Sequence, residues 1–321
     1  MRFPSSDRVS LRRRVFQTLP ILAALLPTLV ASAIGWLPQM RGFAVGAFIL
    51  VMVAIWLPQT WKTFAVLAVA NALGAIAYVL SAHLAPPFWP AVAFLAIVGY
   101  AGGLLTKRFG ALVPLVITAG AACGLNASTA SASKDALLLG LGGLWSIICG
   151  LGIPRAASPA ANKNAATSFM PSFYPVRCAL TLAAALIIGH WLWPGFLGWA
   201  PVAAAAVLRP DLAAIGRRGA WRIAATLAGV ALSALLLALQ VAPFPALAFL
   251  VLLLCVAHAF DLDPTYTIPL VGTTIVLTVL GYAQPEALGA AFVQRTVVTI
   301  LGVVVAWTFV WIPTSVSEAR R

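Results

Sequence analysis

An all-α polytopic membrane protein is the fold class that this sequence predicts, and three observations predict it. The first is composition: of 321 residues, 62% are apolar and only 8% charged, and the mean hydropathy is +1.02. A soluble domain carries roughly 25% charged residues, so this chain has too little charge for a surface in water. That excludes a soluble enzyme, a nucleic-acid-binding module and a disordered chain. The second is pattern. The apolar runs are rich in Leu and Ala and lack period-2 alternation. Lipid admits only helices and closed barrels, so the runs are helices. The third is the distribution of Lys and Arg, which gather in alternate loops.

The elements follow in order. A basic tail, residues 1–16, precedes apolar spans near 17–37, 42–58, 62–82, 88–105, 109–127 and 135–153. A polar linker rich in Ala, Ser and Asn, residues 154–174, separates these from spans near 175–192, 195–208, 220–241, 245–260, 265–283 and 288–312. The second set lies within residues 175–313, and residues 314–321 form a closing tail. Each run is bounded by charge, Pro, Gly or Asn. Twelve spans of ~20 residues use about 240 residues, which leaves room for loops and tails but for no large soluble domain.

With the N-terminus cytoplasmic, seventeen of the twenty Lys and Arg fall inside. Only Arg41 and Lys134 fall outside, and Arg295 is left within the last span. This asymmetry predicts twelve spans with both termini cytoplasmic, in an inner membrane of bacterial type. It also accounts for the net charge of +13 by sidedness and contact with anionic lipid, without nucleic acid. Arg12–Arg14 ahead of an apolar run and Ala31-Ser32-Ala33 also fit a signal peptide. Its removal would leave eleven spans and break an internal repeat.

That repeat appears at a shift of 155 positions: Pro20 falls on Pro175, Trp36 on Trp191 and Gly74 on Gly229. Pro90-Ala91 falls on Pro245-Ala246, and Pro114-Leu115-Val116 on Pro269-Leu270-Val271. Six spans per half is an even number, so both halves enter from one side and are parallel repeats. Two spans at matching places are short, near residues 43–57 and 196–208, the first with Gly46 and the second with Gly198 and Pro201. Matched short or Gly/Pro-interrupted spans point to a transporter's binding site; a tilted helix in a thinned bilayer is the alternative.

The stretch from Trp199 through Pro201 to Arg209-Pro210-Asp211, then Arg222, Thr226 and Gly229, carries a recognisable pattern. It resembles the fusaric acid resistance and aromatic acid exporter family. There a Trp opens a short helix ending near a Pro, and an Arg-x-x-Gly-Thr-x-x-Gly helix follows; here Ala225 replaces the first Gly. The signal covers about residues 175–250. The resemblance implies export of small organic acids, often aromatic carboxylates, from the cytoplasm. The first half lacks the basic motif, since Leu67 and Asn71 stand where the shift expects Arg222 and Thr226.

Candidate residues are few. Arg222, Thr226 and Gly229 share one helix face at i, i+4 and i+7. An Arg fork fits the two oxygens of a carboxylate; a topogenic or snorkelling role is the alternative. Arg209, at the end of the short span, stands in the same position of choice. Arg295, a third of the way into the last span, costs ~2.5–3.5 kcal/mol there and needs water or a partner. Trp199 offers a face for stacking on an aromatic substrate. His258, Asp261 and Asp263 are candidates for proton coupling, with a helix stop before Pro264 as the alternative. His190, beside Trp191 and Trp193, reads as an interfacial anchor. Cys123, Cys149, Cys178 and Cys255 form no CxxC pair and no metal set.

The reading is a secondary transporter that exports organic anions on the proton gradient. The sequence implies no cofactor, no bound metal and no enzymatic site, and it lacks the phosphate loop of an ATPase. A passive anion channel and a non-transporting subunit of an export complex remain open. The expected partners are the lipid bilayer and a small organic anion; a periplasmic adaptor protein and a homodimer mate stay open too.

Overall fold

The computed structural model describes residues 11–54, 60–85, 88–109, 112–151, 173–192, 197–208, 212–260, 262, 264–283 and 288–309. Among these are twelve α-helices and no strand. The first six are α1 (Leu11–Ala33), α2 (Arg41–Ala54), α3 (Trp61–Leu84), α4 (Phe88–Phe109), α5 (Leu112–Gly124) and α6 (Ala132–Leu151). The second six are α7 (Tyr174–Leu192), α8 (Trp199–Val207), α9 (Leu212–Ala238), α10 (Pro243–Ala259), α11 (Pro264–Ala283) and α12 (Leu288–Thr308). Each predicted run therefore contains one helix.

Two boundaries differ in a way that matters. The helix expected from residue 220 already begins at Leu212, so Arg217 and Arg218 are helical rather than in a loop. Ala213, Ala214 and Ala220 are good helix formers, and although Gly216 and Gly219 weaken the run no proline interrupts it before the apolar run starts. At the other end of the chain α1 closes early, at Ala33. Gly35 takes φ +74°, and the Trp36 N–H turns back to the Ala31 carbonyl at 2.7 Å. This is a left-handed helix stop that glycine adopts without strain.

Six helices are long and apolar enough to cross a membrane: α3, α4, α6, α7, α9 and α12. Among the other described helices α8, with nine residues, is the shortest. At 1.5 Å per residue it extends about 14 Å, less than half of a ~30 Å hydrocarbon core. Large apolar side chains cover the outside, among them Leu26, Val69, Ile97, Leu137, Leu252 and Val304. Trp61, Trp89 and Trp191 stand exposed in terminal turns of their helices, as an interfacial belt requires.

Small residues set the packing. Within the first six helices, α2 lies against α6, and α3 against α5 and α6. Gly74 of α3 meets Gly120 of α5, and Tyr78 meets Gly124, so these two helices run parallel with backbones in contact. Within the second six, α8 lies against α12, and α9 against α11 and α12. Gly229 of α9 meets Leu270, Thr273 and Thr274 of α11, and Ser233 bonds Thr278 at 3.0 Å, again in parallel. Between the two sets, α4 packs on α7, α1 on α10 and α5 on α8.

The α4–α7 contact depends on Gly99 and Gly103. A Cβ on Gly103 would stand 2.5 Å from the Pro175 Cα, and one on Gly99 2.8 Å from the Cys178 carbonyl oxygen. Both obstacles are backbone, so neither can swing aside. Gly103→Val is expected to lower stability by about 1–3 kcal/mol, the usual range for overpacking. The check is the melting temperature of the detergent-solubilised protein; an unchanged melt would show that the helices part freely here.

Candidate functional site

Three helices of the second set meet at one level through small or branched residues. A Cβ on Gly219 of α9 would stand 2.6 Å from Val303 of α12 and 3.9 Å from Val207 of α8. From there α9 runs antiparallel to α8 and α12. Seven or eight residues, about 10–12 Å, along α9 and α12 leads to Thr226 and to Arg295, whose side chain reaches Trp199 at the start of α8. Residues far apart in sequence are thus brought to the same depth.

Arg295 of α12 bridges α8 and α11. Its Cζ lies 4.9 Å from the centroid of the Trp199 ring, within cation–π range. Its Nε donates to the Thr273 hydroxyl of α11 at 3.4 Å, the long end of hydrogen bonding. Thr226 is 1% exposed, and its hydroxyl has no hydrogen-bond partner among the described residues. Gln294 is 0% exposed, and neither end of its amide is bonded among them. Buried polar atoms without partners are costly, so both groups are suited to a further polar partner.

The N-terminus of α8 opens at this place. Its cap is Gly198, which offers no side-chain bond to the first turn. The N–H groups of Trp199 and Ala200 carry the positive end of the helix dipole, and Pro201 has no N–H. The cap is gripped from α5: the Leu197 N–H donates to Asn126 Oδ1 at 2.8 Å, and the Gly198 backbone rests on the Ala122 carbonyl. Only a residue without a Cβ fits there. On its other side α8 rests on Gly302 of α12, where a Cβ would stand 2.7 Å from the Ala203 Cβ and 2.8 Å from the Ala200 oxygen.

Arg222 is buried on the face of α9 that carries Thr226, one turn and about 6 Å before it. A seam of buried hydroxyls continues from these residues: Ser233, Thr267, Thr273, Thr274, Thr278 and Thr299. Thr274 donates to both the Leu270 and Gly229 carbonyls, which ties α9 to α11 beside the site. In sum, one cation or two, a helix N-terminus and hydroxyl donors converge. That combination is chemically suited to an anion with a flat apolar body, since the Trp199 ring offers an apolar face.

The predicted residues are placed as follows. The Arg295 side chain reaches the Trp199 ring, and Thr226 lies on α9 with Arg222 one turn before it. His258 is half-buried in the last turn of α10, a helix that packs on α1 and α11. Arg209, Asp261 and Asp263 lie outside the described residues. His190 stacks on Phe88 with ring centroids 4.1 Å apart, at the end of α7. Cys178 and Cys255 are buried and Cys123 and Cys149 half-buried, all as free thiols. No metal-binding cluster occurs among the described residues.

Two residues escaped the sequence reading. Thr273 looked like ordinary helix filling; its match at the 155 shift is Thr118, a pair just past the last aligned motif. Arg177, counted among loop charges, is wholly buried in the first turn of α7. No local signal marked it, because a basic residue at a helix start reads the same whether it faces water or protein.

The helix count, lipid-type surface and intramembrane cation define a multi-pass helical membrane protein. Residues 180–312, which contain Trp199, Arg222, Thr226, Thr273 and Arg295, match the family described as fusaric acid resistance protein-like. That stretch is thus similar to the family that the short-helix and Arg222 pattern led us to expect. No curated protein and no solved structure matches the chain.

Proposed function

We propose that this protein is a secondary transporter that exports small organic acids, chiefly aromatic carboxylates, across the inner membrane on the proton gradient. The observation that carries the reading is the Arg295 guanidinium over the Trp199 ring, at the start of a helix too short to span the bilayer. The carboxylate sits between Arg295 and the N-terminus of α8, with the aromatic ring along Trp199. Arg222 takes the anion one turn nearer the cytoplasm, and Arg209 receives it there. His258, with Asp261 and Asp263, exchanges the coupling proton.

Twelve membrane-spanning helices in two parallel repeats, within residues 17–153 and 175–313, form the framework. Corresponding helix pairs support this: the parallel contacts at Gly74 and Gly229, the α2–α6 and α8–α12 pairs, and the reciprocal α4–α7 and α1–α10 contacts all recur at the 155 shift. Cytoplasmic termini rest on the distribution of Lys and Arg.

Flux of benzoate in proteoliposomes, with and without a pH gradient, tests the reading. Arg222→Ala is expected to lower proton-driven flux about tenfold or more, the worth of one charge-assisted hydrogen bond, while Arg222→Lys retains part of it. Equal flux in Arg222→Ala removes Arg222 from the pathway. A steady benzoate current without an imposed pH gradient makes the protein a channel. No flux, with a partner protein co-purifying in fixed ratio, makes it a subunit of an export complex.

A further inference from the structure

We propose that the first six helices complete the anion site: the end of α5, with Ala122, Cys123 and Asn126, is its fourth wall. The proposal rests on the reading of Arg295 as an anion-binding residue, and adds a part outside the matched stretch 180–312. Ala122 and Asn126 hold the two residues ahead of Trp199, one by backbone contact and one by a 2.8 Å hydrogen bond. Cys123 lies between them in sequence, half-buried, and its sulfur is within electrostatic reach of the Arg295 guanidinium. The Gln294 amide and the Thr226 hydroxyl, in the helices that neighbour Trp199, are buried and without hydrogen-bond partners among the described residues.

The arrangement has a functional consequence. Trp199 and Arg295 belong to the second set of helices, but the peptide that positions Trp199 is anchored on the first. A shift of α5 against α8 would therefore carry the α8 N-terminus with it and reshape the site. A mere structural plug would give Cys123 no preference for reagents of either sign. A wall of an anion site places its thiol in a field that gathers anions.

The test uses the full chain in detergent with Cys149, Cys178 and Cys255 replaced by Ala. Two methanethiosulfonates of similar size are compared, one bearing a sulfonate and one a trimethylammonium group. In each case the Cys123 thiolate attacks the reagent's sulfenyl sulfur, the mixed disulfide forms and methanesulfinate leaves, which mass spectrometry follows. The sulfonate reagent is expected to react about tenfold faster than the cationic one, as local field focusing predicts. Arg295→Gln should abolish that preference and Arg295→Lys keep it. Equal rates for both reagents, a preference unchanged in Arg295→Gln, or no modification of the folded protein would each overturn the proposal. Benzoate should slow the reaction. A preference that depends on Arg295 but is unaffected by benzoate would uphold the shared wall and overturn the aromatic-carboxylate reading.

Discussion

Arg295→Gln is expected to abolish benzoate transport, with binding weakened at least ~10-fold and by as much as ~150-fold. The range follows from about 1.5–3 kcal/mol for a hydrogen bond to a charged group. Glutamine keeps much of the side-chain length and polarity but removes the charge, and with it the cation–π contact to Trp199. It also removes the unfavourable burial of a guanidinium, so the variant is expected to be at least as stable as the parent. Loss of binding with an unchanged or raised melting temperature is the informative pair of results. Arg295→Lys separates charge from shape: a lysine restores a cation without the planar fork, and partial recovery of affinity is expected. If Arg295→Gln bound benzoate as the parent does, the anion would have to be held elsewhere.

The second large effect is expected at Gly302. A valine there drives its branches into Ala203 and the Ala200 carbonyl, so α8 must move away from α12. The cost is about 1–3 kcal/mol of stability by overpacking. Because Trp199 opens α8 and Arg295 sits two turns away on α12, the same displacement uncouples the ring from the guanidinium. Gly302→Val should therefore lose stability and benzoate affinity together, whereas Arg295→Gln loses affinity alone. Size-exclusion melting curves and equilibrium binding on the same preparations distinguish the two. A Gly302→Val protein that melts lower but binds normally would show that the Arg295–Trp199 contact is incidental to binding.

Much of the architecture was legible in the chain because it reports on solvent. Runs of Leu and Ala locate helices whatever they pack against, and each of the twelve runs holds one. The short α8 was visible as a brief apolar run between Pro194-Gly195 and Arg209-Pro210. Arg295 was visible as a charge without an excuse, since a cation deep in an apolar span has few stable surroundings. The family pattern on Trp199, Arg222 and Thr226 was legible too, and the match over residues 180–312 agrees with it.

What was illegible depends on contact. Thr273 is one of many threonines until Arg295 is seen bonded to it. Arg177 resembles any positive-inside residue until α7 is packed and its side chain is enclosed. The early start of α9 followed from neutral alanines around Arg217 and Arg218, where hydropathy loses contrast though the helix does not. Gly99, Gly103 and Gly302 read only as common membrane glycines, and Gly198 only as an interruption of a short span; their use as contact points needed the backbone that faces each of them.

The sequence by itself determined that this chain is helical, apolar on its outside and marked by one deep cation. Those properties follow from partition between water and lipid and from local spacing, which each segment carries alone. Only the tertiary structure decided that Arg295 meets both Trp199 and Thr273, and that the end of α5 holds the peptide ahead of Trp199. Those contacts span up to 96 positions, from Trp199 to Arg295, and arise where glycine faces let helices approach. Hydropathy sorts residues by medium; it is blind to neighbours, and neighbours decide what surrounds a buried arginine.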